Sequence, residues 1–175
     1  MQSGNRARYL PDRDLYLELG SSHDAFRNYL RIKPMLTDQQ RREALLHCWT
    51  MQPGCKARER AAWVRELRPY APLIGPDEAA KFEALDDELI VYRGAHRDEL
   101  RGRLGLSWTL DRSIAEFFSR TQPHPVGGSY RPPRAAELAV VLCGRLRKAD
   151  VLLYENGRNE LEIVADAVTL ADSHQ

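Results

Sequence analysis

Cysteine is scarce in this 175-residue chain. Cys48, Cys55 and Cys143 form an odd set without C-x-x-C spacing, which argues against both a disulfide framework and a cysteine-built zinc site and suits a reducing cytoplasm. The five histidines lack metal-ligand spacing too, and His47 beside Cys48 has no second pair, so no metal is expected. Charge of one sign is also lacking: 26 Lys and Arg meet 25 Asp and Glu, a formal charge of +1. No long-range field therefore draws the protein to nucleic acid or an anionic membrane, although a local basic groove is compatible with this balance. No apolar run approaches the roughly 18 residues of a membrane span, and the opening MQSGNRARYLPDRD holds no secretory h-region. The expectation is a cytoplasmic protein without a signal peptide, needing a non-Sec route if it leaves its cell. Internal repeats and Gly-rich phosphate loops are missing as well.

What is present is one domain's length, enough to bury a real core. The first half has helical periodicity. Ser22 is placed to cap a helix with Phe26, Tyr29 and Leu30 on one stripe, ending near Pro34. Thr37 followed by Gln40 has the form of a capping box, and Ala44, Leu45 and Trp49 give the next helix its buried face until Gln52-Pro53-Gly54 stops it. A third helix is predicted over about 56–67, with Trp63, Val64 and Leu67 inward. A fourth opens at Pro76, with Phe82, Leu85 and Leu89 as its apolar positions and an acidic first turn suited to the helix dipole.

From Leu89 the pattern changes to strands. Leu89 to Arg93 is β-prone and broken by Gly94, and Leu104 to Thr109 is a second such run. Asp111 can cap a short helix carrying Ile114, Ala115, Phe117 and Phe118, and 121–133 is a long loop rich in Pro and Gly. Leu138–Cys143, Val151–Tyr154 and Leu161–Val168 read as further strands, with Asn156-Gly157 as a turn between the last two. Helices first and strands after point to an α+β fold.

Three fragments stand together in this frame: Val91-Tyr92-Arg93-Gly94, Leu106-Ser107-Trp108-Thr109, and Asn159-Glu160-Leu161-Glu162-Ile163-Val164. In that order they resemble the Arg, Ser-x-Ser/Thr and Glu-x-Glu signature of the mono-ADP-ribosyltransferases related to arginine-modifying toxins and phage enzymes. The resemblance spans roughly 89–166; the helical first half resembles no family. It implies a split β-sheet core, a compact pair of sheets from about residue 89 that forms the NAD cleft; the order of elements divides the chain into 1–88, an N-terminal helical region packed on that core, and 89–175, the NAD-binding part, within one compact domain.

The chemistry explains why such residues converge. Cleaving the nicotinamide–ribose bond of NAD develops an oxocarbenium-like cation, so negative charge must be held near the ribose while the pyrophosphate is gripped elsewhere. By the resemblance, Arg93 contacts the phosphates and Gly94 holds the nicotinamide carboxamide through its main chain. Ser107 orients the catalytic glutamate, Thr109 is the second hydroxyl, and Glu162 stabilises the cation through the ribose 2′-hydroxyl. Trp108 stands where the family more often has Thr; strand alternation turns it away from residues 107 and 109 and into the core. Glu160 shares the face of Glu162 under the same alternation, and a glutamate there implies an arginine acceptor, since a carboxylate pairs with a guanidinium and assists its deprotonation. Phe118, or Phe117, is placed to flank the nicotinamide, and Tyr130, Arg131 or Arg134 to touch NAD or acceptor.

Singly, each residue fits a plainer role. Arg93 suits a surface ion pair, Ser107 and Thr109 suit any half-buried strand, and Glu160 with Glu162 suit a charged edge that resists aggregation. Phe117 and Phe118 suit a core. Together they imply a mono-ADP-ribosyltransferase, toxin-like and of phage or bacterial type, that uses NAD as substrate and modifies an acceptor macromolecule, chiefly protein, with a nucleic-acid acceptor left open and no membrane partner. The alternatives are an NAD glycohydrolase, or a non-catalytic binding or inhibitory module of the same fold.

Overall fold

The computed structural model describes residues 11–20, 24–51, 59–75, 77–97, 100, 104–121, 136–157 and 159–171. The chain divides into two compact units, Met1–Pro53 and Gly54–Gln175.

The first unit is helical: α1 (Asp12–Leu19), α2 (Ala25–Ile32) and α3 (Asp38–Met51). The capping box before α3 forms in both directions: Thr37 Oγ1 accepts from the Gln40 amide at 3.2 Å, and Gln40 Oε1 accepts from the Thr37 amide at 3.0 Å. Two of the donors that a helix start leaves without partners are thereby satisfied. Gln40 is itself buried and donates to Asp12 Oδ1 at 2.6 Å, tying α3 to the start of α1. Ala44, Leu45, Cys48 and Trp49 form the buried stripe of α3, facing Ala25, Phe26, Tyr29 and Ile32 of α2 within one helical layer. The residue preceding α2 is Asp24, which makes no side-chain cap bond; the expected cap Ser22 and the stop at 52–54 lie outside the described residues.

The second unit is mixed α+β. In order it holds α4 (Arg60–Leu67), β1 (Leu73–Ile74), α5 (Ala79–Glu83), β2 (Glu88–His96), β3 (Ser107–Thr109), α6 (Arg112–Arg120), β4 (Ala139–Arg147), β5 (Leu153–Glu155), β6 (Glu162–Val164) and β7 (Thr169–Leu170). Thus α4, β1 and α5, grouped by pattern with the N-terminal helices, belong to the compact unit that carries the sheet. Four local expectations are corrected. Helix α5 ends at Glu83, so Leu89 lies on β2 rather than on a helix. Gly94 does not break β2, which continues to His96. Of the Leu161–Val168 run only Glu162–Val164 is strand, as β6, and β7 begins after the run, on a different neighbour. The first half of the expected strand over Val151–Tyr154 is not strand, and β5 reaches Glu155 instead.

The strands hydrogen-bond into one seven-stranded sheet in the order β1-β5-β6-β3-β2-β4-β7, not a pair of sheets. Among the described residues only β1 and β5 run parallel. The strengths of the joints differ greatly: β2 and β4 share nine registered pairs from Glu88↔Arg147 to His96↔Ala139, whereas β2 and β3 share Tyr92↔Thr109 alone.

One face of this sheet carries the core, where Phe82, Leu89, Val91, Trp108, Leu146, Val151, Tyr154, Ile163 and Ala165 are buried together. Trp108 lies opposite Ile163, and cross-strand partners share a face, so the inward turn expected of Trp108 is what the register produces. Emptying this position to Ala would cost about 3–5 kcal/mol. Helix α6 lies on the other face, over Gly94. A Cβ at Gly94 would fall 2.2 Å from the Ala115 carbonyl oxygen and 2.4 Å from the Ser119 nitrogen, so only glycine lets α6 approach this closely. Asp111 caps α6 as expected, accepting from the Ser113 amide at 2.7 Å. Among the described residues no helix is long and apolar enough to cross a membrane.

Candidate active site

The three sequence fragments meet where β2 leaves β3. Antiparallel pairing continued past Tyr92↔Thr109 would set Gly94 opposite Ser107, but no pair is registered there. Side chains span the seam instead. Arg93, half-buried, donates from Nη1 to the Ser107 carbonyl oxygen at 2.6 Å. Its guanidinium also occupies the space beside Gly105, where an added Cβ would come within 2.7 Å of Nη2. A planar guanidinium fork can hold a carbonyl with one nitrogen while presenting the rest of its edge elsewhere.

Across β3 and β6 the register is Ser107↔Val164, Trp108↔Ile163 and Thr109↔Glu162. Glu162 therefore shares the face of Ser107 and Thr109. It is 6% exposed, and Ser107 Oγ donates to its Oε1 at 2.5 Å. That distance is in the range of hydroxyl–carboxylate bonds, which are about twice as strong as neutral ones and hold the acceptor in one orientation. Thr109, equally buried, donates from Oγ1 to the Glu160 carbonyl oxygen at 2.6 Å and accepts from the Asp111 amide at 3.1 Å. The two hydroxyls thus do different work: one orients the Glu162 carboxylate, the other pins the main chain at Glu160.

Glu160 lies before β6, and the residues around it depart from extended backbone, with φ 56° at Asn159 and 45° at Leu161. Simple alternation therefore does not carry from Glu162 back to Glu160, and the expectation that they share a strand face is corrected. Left-handed geometry at Leu161, costly for a branched side chain, is held by the Asn156 side chain, whose Oδ1 accepts from the Leu161 amide at 3.1 Å.

Gly94 and Phe118 sit together at the foot of α6: the Cβ direction of Gly94 points at main-chain atoms of Ala115, Phe118 and Ser119. Helix packing alone therefore requires a glycine at this position. Phe118 is half-buried, while Phe117 is 59% exposed and meets it edge-to-face at 5.4 Å. The core role expected of Phe117 is corrected by that exposure. Tyr130, Arg131 and Arg134 lie outside the described residues.

Two residues of this region carry no sequence signal that singles them out. Arg60 on α4, its side chain 13% exposed, donates to the Leu104 carbonyl oxygen and, at 2.8 Å each, to the carbonyl oxygen and Oδ1 of Asp166. It clasps the chain before β3 and after β6, the strands of Ser107 and Glu162. Glu155 is the second. It is 9% exposed and lies directly opposite Glu162 across β5 and β6. A two-residue Asn156-Gly157 hairpin would pair Glu155 with the residue just after the turn; the six-residue connection 156–161 pairs it with Glu162 instead. One row of facing positions therefore runs Glu155, Glu162, Thr109, Tyr92, Cys143 across the sheet.

Burial and the nearby carboxylates Glu78 and Glu155 push the Tyr154 phenol above its ordinary value. Among the described residues no group of three or more His, Cys, Asp or Glu side chains is placed to hold a metal ion. Comparison with family models, with curated proteins and with solved structures returned no match to the chain.

Proposed function

We propose that this protein is an NAD-dependent mono-ADP-ribosyltransferase with an ADP-ribosyltransferase-like fold, and that Glu162 is its central catalytic carboxylate. The observation that carries this reading is the linkage Arg93–Ser107–Glu162: residues 14 and 55 apart in sequence meet at one seam of the sheet, the Arg93 guanidinium on the Ser107 carbonyl oxygen and the Ser107 hydroxyl on the Glu162 carboxylate. Each supplies one need of NAD cleavage.

In the proposed reaction the C1′–N bond of NAD breaks, its electron pair passes to the nicotinamide ring, and neutral nicotinamide leaves. The positive charge moves to the ribose, where the oriented Glu162 carboxylate lowers its energy and grips the 2′-hydroxyl; preorganised charge of this kind is worth about two to three orders of magnitude in rate. Arg93 binds the pyrophosphate beside the seam, and Gly94 and Phe118 border the nicotinamide. An acceptor guanidinium nitrogen then bonds to C1′ and gives its proton to Glu160. The acceptor class is a protein arginine.

The test incubates wild type and Glu162→Gln with labelled NAD and a cell lysate, following free nicotinamide and label on macromolecules. Both are expected from wild type, with losses of about a hundredfold or more in the variant. Nicotinamide without label would identify a glycohydrolase using water. Neither product, with no NAD binding at millimolar concentration, would identify a non-catalytic module.

A further inference from the structure

We infer that Glu155 is a positioning residue for Glu160, setting whether the ADP-ribosyl group reaches an acceptor or water; this rests on the function proposed above. Glu155 ends β5, and its Oε1 accepts from the Gly157 amide at 2.5 Å. The fit is close: a Cβ on Gly157 would lie 2.6 Å from that same oxygen. The carboxylate therefore grips the first turn of the 156–161 connection from beneath. Asn156 continues the hold, its carbonyl oxygen accepting from the Asn159 amide at 2.8 Å and its Oδ1 from the Leu161 amide at 3.1 Å. At the far side Thr109 Oγ1 fixes the Glu160 carbonyl oxygen.

Glu160 is thus suspended between two anchors, Glu155 through the turn and Thr109 through β3. Both anchors are less than a tenth exposed, so water competes weakly for their hydrogen bonds. Glu155 also stands directly opposite Glu162, where like charges repel at the 4.5–5.5 Å typical of facing Cβ atoms. A buried acid in that place carries a cost that a leucine would avoid. Its grip on Gly157 is the compensating interaction. Glu162 is held separately, by Ser107, so loosening the turn releases Glu160 while leaving the cleavage carboxylate oriented.

The test compares wild type, Glu155→Ala and Glu155→Gln in three readings: nicotinamide release, label transferred to acceptor, and amide hydrogen exchange at Gly157, Asn159 and Leu161. In Glu155→Ala, the ratio of label transferred to nicotinamide released is expected to fall about tenfold, and exchange at Gly157 to accelerate about tenfold, as loss of one charge-assisted bond implies. Glu155→Gln keeps an acceptor oxygen and is expected to restore slow exchange and most of the transfer. Equal loss of release and transfer in Glu155→Ala, unchanged exchange, or failure of Gln to rescue would each overturn the inference. Absence of nicotinamide release from wild type would overturn the function itself, and is recognised without reference to either variant.

Discussion

The two sides of β2 are built on opposite plans. Towards β4 it makes nine registered pairs; towards β3 it makes one. The first joint is a backbone ladder in which side chains serve packing, as with Leu89, Val91 and Leu146 in the core. The second is held by a side chain reaching main chain, Arg93 to the Ser107 carbonyl. A continuous ladder saturates its own polar groups and leaves nothing for a ligand. A seam bridged by side chains keeps a guanidinium and a hydroxyl at the joint itself, and the candidate site lies there.

This contrast is broken most severely at Gly94, where ladder and helix meet. Gly94→Val drives a side chain into the main chain of α6 and is expected to destabilise by about 3 kcal/mol or more, read as a lower urea midpoint; an unchanged midpoint would mean that α6 can lift off β2 without loss. Ser107→Ala should do the reverse. It removes the donor to Glu162, and under the proposed function kcat for NAD cleavage is expected to drop tenfold to a hundredfold with KM for NAD little altered, while stability changes by only about 1 kcal/mol. If stability falls steeply and kcat does not, Ser107 is a structural residue and the seam is simply a poor joint.

Thr109→Val keeps the shape of the buried side chain but loses the bonds to Glu160 and Asp111. A cost of about 1–2 kcal/mol is expected from the carbonyl and amide left buried, together with faster exchange of the Asp111 amide. Slow exchange in the variant would show that the link from β3 to the chain before β6 needs no such tie.

The smallest effect concerns pH. Hydrogen bonds from the Ser113 side chain and amide hold the Asp111 carboxyl below its ordinary value. A depressed carboxyl stabilises the fold above its unfolded value of about 3.9 and loses that contribution as pH falls through the folded value beneath it. Acid unfolding followed by circular dichroism should therefore show a slightly flatter limb below about pH 4 in Asp111→Asn, which caps without titrating. A superimposable limb would show that this cap contributes no pH dependence.

Local rules made a good part of the molecule legible. The Thr37–Gln40 box, the Asp111 cap and the inward turn of Trp108 each depend on atoms within four residues or on the two-residue period of a strand. The same rules extended the fourth helix to Leu89, which they also gave to the strand where it lies, and carried alternation through Leu161, where positive φ ends it. The approach of Arg93, Ser107 and Glu162 was legible only as a resemblance of motifs, because nothing local determines which strands become neighbours.

The sequence by itself determined two helix starts, at Thr37 and Asp111, and the inward turn of Trp108, since capping chemistry and side-chain period act over a few residues. Tertiary structure alone decided the rest. The Arg60 clasp joins residues 44 and 106 positions apart, Gly94 answers to a helix some 20 residues later, and Glu155 meets Glu162 only through a six-residue connection and its register. Such contacts depend on sheet order, and sheet order is selected by the summed burial of a whole core rather than by any short stretch of chain.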